Sequence, residues 1–187
     1  MITRLMELHY WRFEIKNFKK KKNKIIKLIN KYPLTKEGIQ NYSTNTNLFQ
    51  KDYNKHQEFI QEVSTFVMEE LKSFAKDIKN NIRITKAWGV NYKKGEDQIM
   101  HHHGNKGYTA ILFVNFDAKK HSPVIFKKFW PNITSGSLEF TAPYPNIKEG
   151  SLIVFPKCVE HFAPVNLSDK DRTIIGFDLD FNNEQHG

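Results

Sequence analysis

The 187 residues contain one cysteine, Cys158. No internal disulfide can form, and a reducing cytosol is the expected setting. No apolar run approaches the roughly 18–20 residues that a membrane-spanning helix needs, so no membrane partner is expected. The start, Met1 to Glu7, holds neither a long apolar segment nor a small-residue cleavage site, which argues against a secretory signal. Arginine is also scarce: Arg4, Arg12, Arg83 and Arg172 are the only four among 29 basic residues. The net charge of +9 by itself admits a nucleic-acid partner. The excess is lysine, however, and it accompanies abundant Asn, Ile, Phe and Tyr, a set with AT-rich codons, so a nucleic-acid partner is not favoured. Where cations are mostly lysine, an arginine such as Arg172 carries more information. Apolar residues make up 39%, enough to exclude disorder and to build one core in a single domain.

Residues 1–81 read as mainly helical support. His9 to Ile15 alternates well enough for a first strand. Asn17 stands where a helix would be capped, ahead of a stripe of Phe18, Ile25, Ile26, Leu28 and Ile29. Lys19 to Lys22 reads as a solvated face of that helix, and Lys31-Tyr32-Pro33 ends it. Residues 35–53 are polar and read as a long loop, able to line a substrate cleft. The clearest helix follows, with Asn54 and Gln57 as its capping box. Phe59, Ile60, Val63, Phe66, Val67, Leu71, Phe74, Ala75 and Ile78 recur on one face. That stripe predicts packing against the outside of a sheet.

From residue 82 to 183 the texture is β. Ile82 to Tyr92, Tyr108 to Phe116, Pro123 to Phe129, Ser137 to Thr141, Ser151 to Phe155, Val159 to Val165 and Thr173 to Phe181 read as strands. About eight short strands in about a hundred residues, with turn signals between them, predict a sandwich or double-sheet jelly roll. The fold class is α+β, mainly β, with the N-terminal helices packed on one sheet.

Three consecutive histidines, His101-His102-His103, lie just after the Gly95 turn. Side chains at i and i+2 of an extended strand share a face. His101 and His103 therefore converge and His102 points away. His161, after the run Leu152 to Pro156, is placed to add a third ligand from a neighbouring strand. Such a facial set with open positions suits non-haem Fe(II) chemistry, usually built from two histidines and one carboxylate. The alternative is a group of surface histidines beside a loop. Cys158, three residues before His161, lacks a second cysteine for a zinc site and reads as a small buried thiol.

Residues 86–181 resemble the 2-oxoglutarate/Fe(II)-dependent dioxygenase superfamily. They are most similar to its phage- and marine-bacteria-associated branch, which is prolyl-hydroxylase-like. The resemblance is carried by Trp88-Gly89-Val90-Asn91-Tyr92-Lys93-Lys94-Gly95, by His101 and His103 six and eight residues after Gly95, and by Gly150-Ser151-Leu152-Ile153-Val154-Phe155-Pro156. His161 and Arg172 follow in order. It implies a double-stranded β-helix, or jelly roll of cupin-like form. It also implies Fe(II) held by His101, His103 and His161. Arg172 would grip the distal carboxylate of 2-oxoglutarate, work that suits a planar guanidinium. Tyr92 would lie near that cosubstrate, or else serve as a core or rim tyrosine, while Trp88 and Phe155 read as core. Were the chain viral, the setting would be the host cytoplasm.

Two departures stand out. His103 occupies the place of the usual aspartate, which raises the charge of the site unless a carboxylate such as Glu96 or Asp97 approaches. Ile174 stands where many members have a serine that helps to hold the cosubstrate. Three functions follow. The first is an Fe(II)- and 2-oxoglutarate-dependent oxygenase hydroxylating a protein side chain or small molecule. The second is a three-histidine dioxygenase of the cupin type that needs no 2-oxoglutarate. The third is a non-catalytic jelly-roll binding module with a basic face. Residues 35–53 and 117–136, with Trp130, Lys119 and Lys120, are the expected substrate determinants.

Overall fold

A computed structural model describes residues 9–32, 44–45, 52–128, 130–143 and 147–182. Most of the 35–53 loop, Phe129 and the extreme N-terminus lie outside the described residues. Strand β1 is Trp11–Glu14, helix α1 Phe18–Lys31, β2 Thr44–Asn45 and helix α2 Tyr53–Asp77. Then follow β3 Ile82–Tyr92, β4 Gln98–His101, β5 Tyr108–Asn115, β6 Ile125–Lys127, β7 Phe140–Thr141, β8 Ser151–Pro156, β9 His161–Ala163 and β10 Arg172–Phe181. No helix among the described residues is long and apolar enough to cross a membrane.

All strand pairs are antiparallel. One sheet runs β1-β8-β5-β10-β3-β2 and the other β4-β9-β6-β7. The long apolar runs become the central strands because they alone can be buried on both faces. In β5, Ala110, Leu112 and Val114 face the helices, where they join Phe59, Val63, Val67 and Phe74 of α2 and Ile25 and Ile29 of α1. Ile111 and Phe113 face the other way and meet Phe126 of the small sheet and Val124 just before it. β8 divides likewise, with Leu152 and Val154 outward and Ile153 and Phe155 inward. Two cores on opposite faces of one sheet make the jelly roll, a double-stranded β-helix with both helices on the outside of the large sheet.

The caps differ from expectation. α2 starts earlier than the predicted capping box, at Asp52, whose carboxylate accepts from Lys55 N at 3.1 Å. Asn54 is inside the helix, because an acid one residue ahead of the first turn serves the orphan N–H groups better. Asn17 does precede α1, but its side chain caps nothing. It adopts a left-handed conformation, φ 55°, that turns the chain from β1 into the helix. The lysine run is solvated at Lys19 and Lys20. Lys22 is drawn inward to Asn115 and Glu149. Cys158 is exposed rather than buried. It sits in the turn after β8, where its neighbour Lys157 folds in to reach Asp180.

Candidate metal centre and anion pocket

Strand alternation sets the inner surface. On β10, Ile175, Phe177 and Leu179 pack under the helices. Arg172, Ile174, Gly176 and Asp178 have the opposite parity and face inward. β3 pairs beside it with Tyr92 opposite Arg172, Val90 opposite Ile174 and Trp88 opposite Gly176. The small sheet faces them with His101, the last residue of β4, paired to His161, the first of β9. A cleft of about 490 Å³ of empty space, solvent included, lies between the sheets. His101, His103 and His161 line it together with Tyr92, Arg172 and Ile174.

The three histidines each offer a ligand atom, and these atoms lie within 4.8 Å of one another. His101 and His161 stand with ring centres 4.4 Å apart, and His103 stacks on His161 at 5.2 Å. His103 lies two residues beyond β4, not on it. Its backbone N–H still bonds Lys157 O at 3.0 Å, which keeps the segment extended and preserves the alternation. His102 is exposed, as the period requires.

The Nδ1 atoms are already committed. His101 Nδ1 lies 2.8 Å from Ile99 O, and His161 Nδ1 lies 2.9 Å from Val159 O. A carbonyl only accepts, so each Nδ1 carries the proton and each Nε2 presents a bare lone pair. His103 Nδ1 lies 3.0 Å from Asp178 Oδ1. Burial holds the His161 imidazole well below its ordinary value, at about 3, and lowers His101 as well. Neutral rings with converging lone pairs fit a divalent cation. The buried carboxylate oxygen of Asp178, which makes no well-aligned hydrogen bond, fits the same charge. Glu96 and Asp97 do not join the histidine group. Glu96 turns back to accept from Lys93 N at 2.8 Å.

Arg172 is 2% exposed. Its Nη1 donates to Ser122 O at 2.8 Å and its Nη2 to Pro164 O at 2.7 Å. The guanidinium lies 4.4 Å from the centre of the Tyr92 ring. Two of five N–H donors are thus used, leaving three for an anion. Burial lowers the guanidinium pKa and raises that of the Tyr92 phenol. Tyr92 is itself buried and donates to Gln98 Oε1 at 3.1 Å. It is both a core tyrosine and a wall of the pocket.

Trp88 was read as core, but its indole lines the cleft and stacks on His103, ring centres 5.3 Å apart and 17° from parallel. Gly176 makes this possible, since a Cβ there would lie 2.5 Å from the Trp88 ring. Gly176→Ala should displace the indole and with it His103. We expect a loss of about 1–3 kcal/mol in stability, read from the denaturant midpoint, together with weakened metal binding. Neither Gly176 nor Asp178 was singled out in the sequence. Their shared parity with Arg172 was the available signal.

His56 and His121 are buried elsewhere, at 3% and 5% exposure. Each accepts a backbone N–H, from Ala87 at 3.2 Å and from Asp117 at 3.1 Å. Desolvation lowers both pKa values. The unfolded chain then takes up protons first as pH falls, near the ordinary histidine value of about 6.5. Stability of the metal-free protein should be full above that pH and drop below it. A melting temperature that stays flat from pH 7.5 to 5.5 would contradict this, and His56→Gln should reduce the slope.

No curated relative matches the chain in sequence. The family described as "Putative 2OG-Fe(II) oxygenase" matches residues 86–178, about half of the chain and all of the cleft residues named above. Among solved structures, the chain is similar to HygX from Streptomyces hygroscopicus with nickel, 2-oxoglutarate and hygromycin B bound. The TM-score is 0.67 at 8% identity, covering 92% of this chain and 83% of that one. It is similar to the viral collagen prolyl hydroxylase of Paramecium Bursaria Chlorella virus-1 in its 2-oxoglutarate complex, with TM-score 0.56, 12% identity and coverages of 91% and 94%. A Pseudomonas putida prolyl-4-hydroxylase gives 0.57, 10%, 92% and 93%. At such identities the likeness is one of fold, and it agrees with the jelly roll described above. With the family match lying over the histidines and the arginine, the chain belongs to the 2-oxoglutarate- and Fe(II)-dependent oxygenases.

Proposed function

We propose that this chain is a hydroxylase in which His101, His103 and His161 hold Fe(II) and Arg172 holds the far carboxylate of 2-oxoglutarate. One observation carries the reading: three imidazoles whose ligand atoms lie within 4.8 Å of one another and a buried guanidinium with unused N–H donors line the same cleft. When bound, iron and 2-oxoglutarate supply the oxidising chemistry, in which dioxygen is reduced, 2-oxoglutarate becomes succinate and CO₂, and one oxygen atom enters the substrate C–H bond.

The protein's own residues bind, orient and exclude water. The carbonyls of Ile99 and Val159 fix two imidazoles in the tautomer that faces the ion. Ser122 O and Pro164 O fix the plane of Arg172, so its remaining donors meet an incoming carboxylate with little loss of side-chain freedom. Tyr92 beneath and Ile174 beside it close the pocket. Ile174 offers no hydroxyl, which leaves the arginine as the main anion donor. The substrate is a protein side chain or a small molecule. Both kinds occur among proteins of similar fold, which include prolyl hydroxylases and a protein with hygromycin B bound.

Anaerobic protein loaded with Fe(II) should develop the weak visible charge-transfer band when 2-oxoglutarate is added. Iron bound without a band would sink this reading. It would favour instead a three-histidine dioxygenase of the cupin type, the reading supported by a ligand group that holds no carboxylate among the described residues.

A further inference from the structure

The inner face of β10 carries a buried acid beside the histidines. Asp178 is 5% exposed, on a strand whose inner neighbours are Gly176 and Ile174. Burying a carboxylate is unfavourable unless a positive or donating group answers it. Asp178 Oδ1 makes no well-aligned hydrogen bond among the described residues. Its close polar neighbour is His103 Nδ1, 3.0 Å away. Trp88 stacks on a face of that ring, 17° from parallel, so the imidazole is held by an indole at its face and a carboxylate near its Nδ1. The other two histidines lean on uncharged acceptors, Ile99 O and Val159 O. The histidine standing where a carboxylate ligand was expected is thus the one that has a carboxylate behind it.

We propose that Asp178 is the positioning residue of this metal centre. It holds His103 in the Nδ1–H form, aims Nε2 at the ion, and supplies from one ring further out the negative charge that three neutral imidazoles lack. The inference rests on the reading of the three histidines as metal ligands. Its physical basis is general: an imidazole whose N–H is given to a carboxylate is a stronger donor and is fixed in orientation. The carboxylate is farther from the ion than a direct ligand would be. In a buried site its field is little screened, so it still favours the more highly charged oxidation state. Metal binding at Nε2 would in turn strengthen the contact between the His103 N–H and Oδ1.

The test uses the full chain with three variants, Asp178→Asn, Asp178→Ala and His103→Ala. Fe(II) affinity is measured by chelator competition under argon, and the Fe(III)/Fe(II) midpoint potential is measured on each metal-loaded protein. Asp178→Asn keeps the shape and an acceptor but removes the charge. It should lower affinity by about 10–100-fold and raise the potential, with Asp178→Ala at least as severe. If Asp178→Ala does not fold, the near-isosteric Asn variant decides. Wild-type affinity and potential in the Asp178 variants, beside a loss in His103→Ala, would overturn the role of Asp178 and leave the metal site standing. An Asn variant that is merely less stable, with affinity and potential unchanged, overturns it equally. Wild-type affinity in His103→Ala would remove the metal-ligand reading itself.

Discussion

His161→Ala should abolish iron binding and turnover while the fold survives. His161 is 3% exposed and closes a triangle with the other two histidines, with ring centres 4.4 Å from His101 and 5.2 Å from His103. It is the only one of the three on the second strand, so its loss leaves two nitrogens from one short segment and no facial set. Removing an outer partner of a ligand costs about 10–100-fold in affinity, and loss of a ligand should exceed that. Metal content after chelator dialysis and a nickel titration both measure it. His102→Ala is the matched control. That ring is exposed and accepts only from Gly104 N, at 3.1 Å. Iron retention in His161→Ala equal to that of His102→Ala would remove His161 from the metal site.

Arg172→Ala should weaken 2-oxoglutarate binding by about 100-fold and leave iron in place. A hydrogen bond to a charged group contributes about 1.5–3 kcal/mol, and about 1.4 kcal/mol is a factor of ten in affinity. Arg172→Lys should recover little. A single ammonium cannot satisfy Ser122 O, Pro164 O and a carboxylate in one plane. Stability should fall as well, because truncation leaves those two carbonyls without their donor. The comparison that decides is 2-oxoglutarate affinity, read from the charge-transfer band, against iron content. Equal 2-oxoglutarate affinity in wild type and Arg172→Ala would take the arginine out of the pocket.

Most of the scaffold was legible. The α2 stripe and the double-sided runs of β5 and β8 are governed by burial, and burial writes a period into the chain. The ends of elements were less so. Asp52 displaced the predicted Asn54 cap because a one-residue choice among neighbouring polar side chains has almost no periodic signal. Cys158 was read as buried from its residue type, yet the turn after β8 needed a buried Lys157 to pair with Asp180 and turned the thiol outward. In the site, His101, His103 and His161 could be picked out because three histidines stand in a row and two-residue spacing has a definite meaning on extended chain. Arg172 could be picked out because arginine is scarce among the 29 basic residues.

Local sequence by itself determined the alternation at the triple histidine, with His101 and His103 inward and His102 outward, and that an arginine opens the last strand. Only the tertiary structure decided what those inward side chains meet. His101 and His161 become neighbours through the pairing of β4 with β9, and Trp88 reaches His103 across a glycine on another strand. Asp178 stands beside His103, 3.0 Å from its Nδ1. These contacts join residues about 60 to 75 positions apart (His101 with His161, His103 with Asp178). Their partners are chosen by sheet register, which depends on the packing of both cores at once and leaves no mark in any short stretch of sequence.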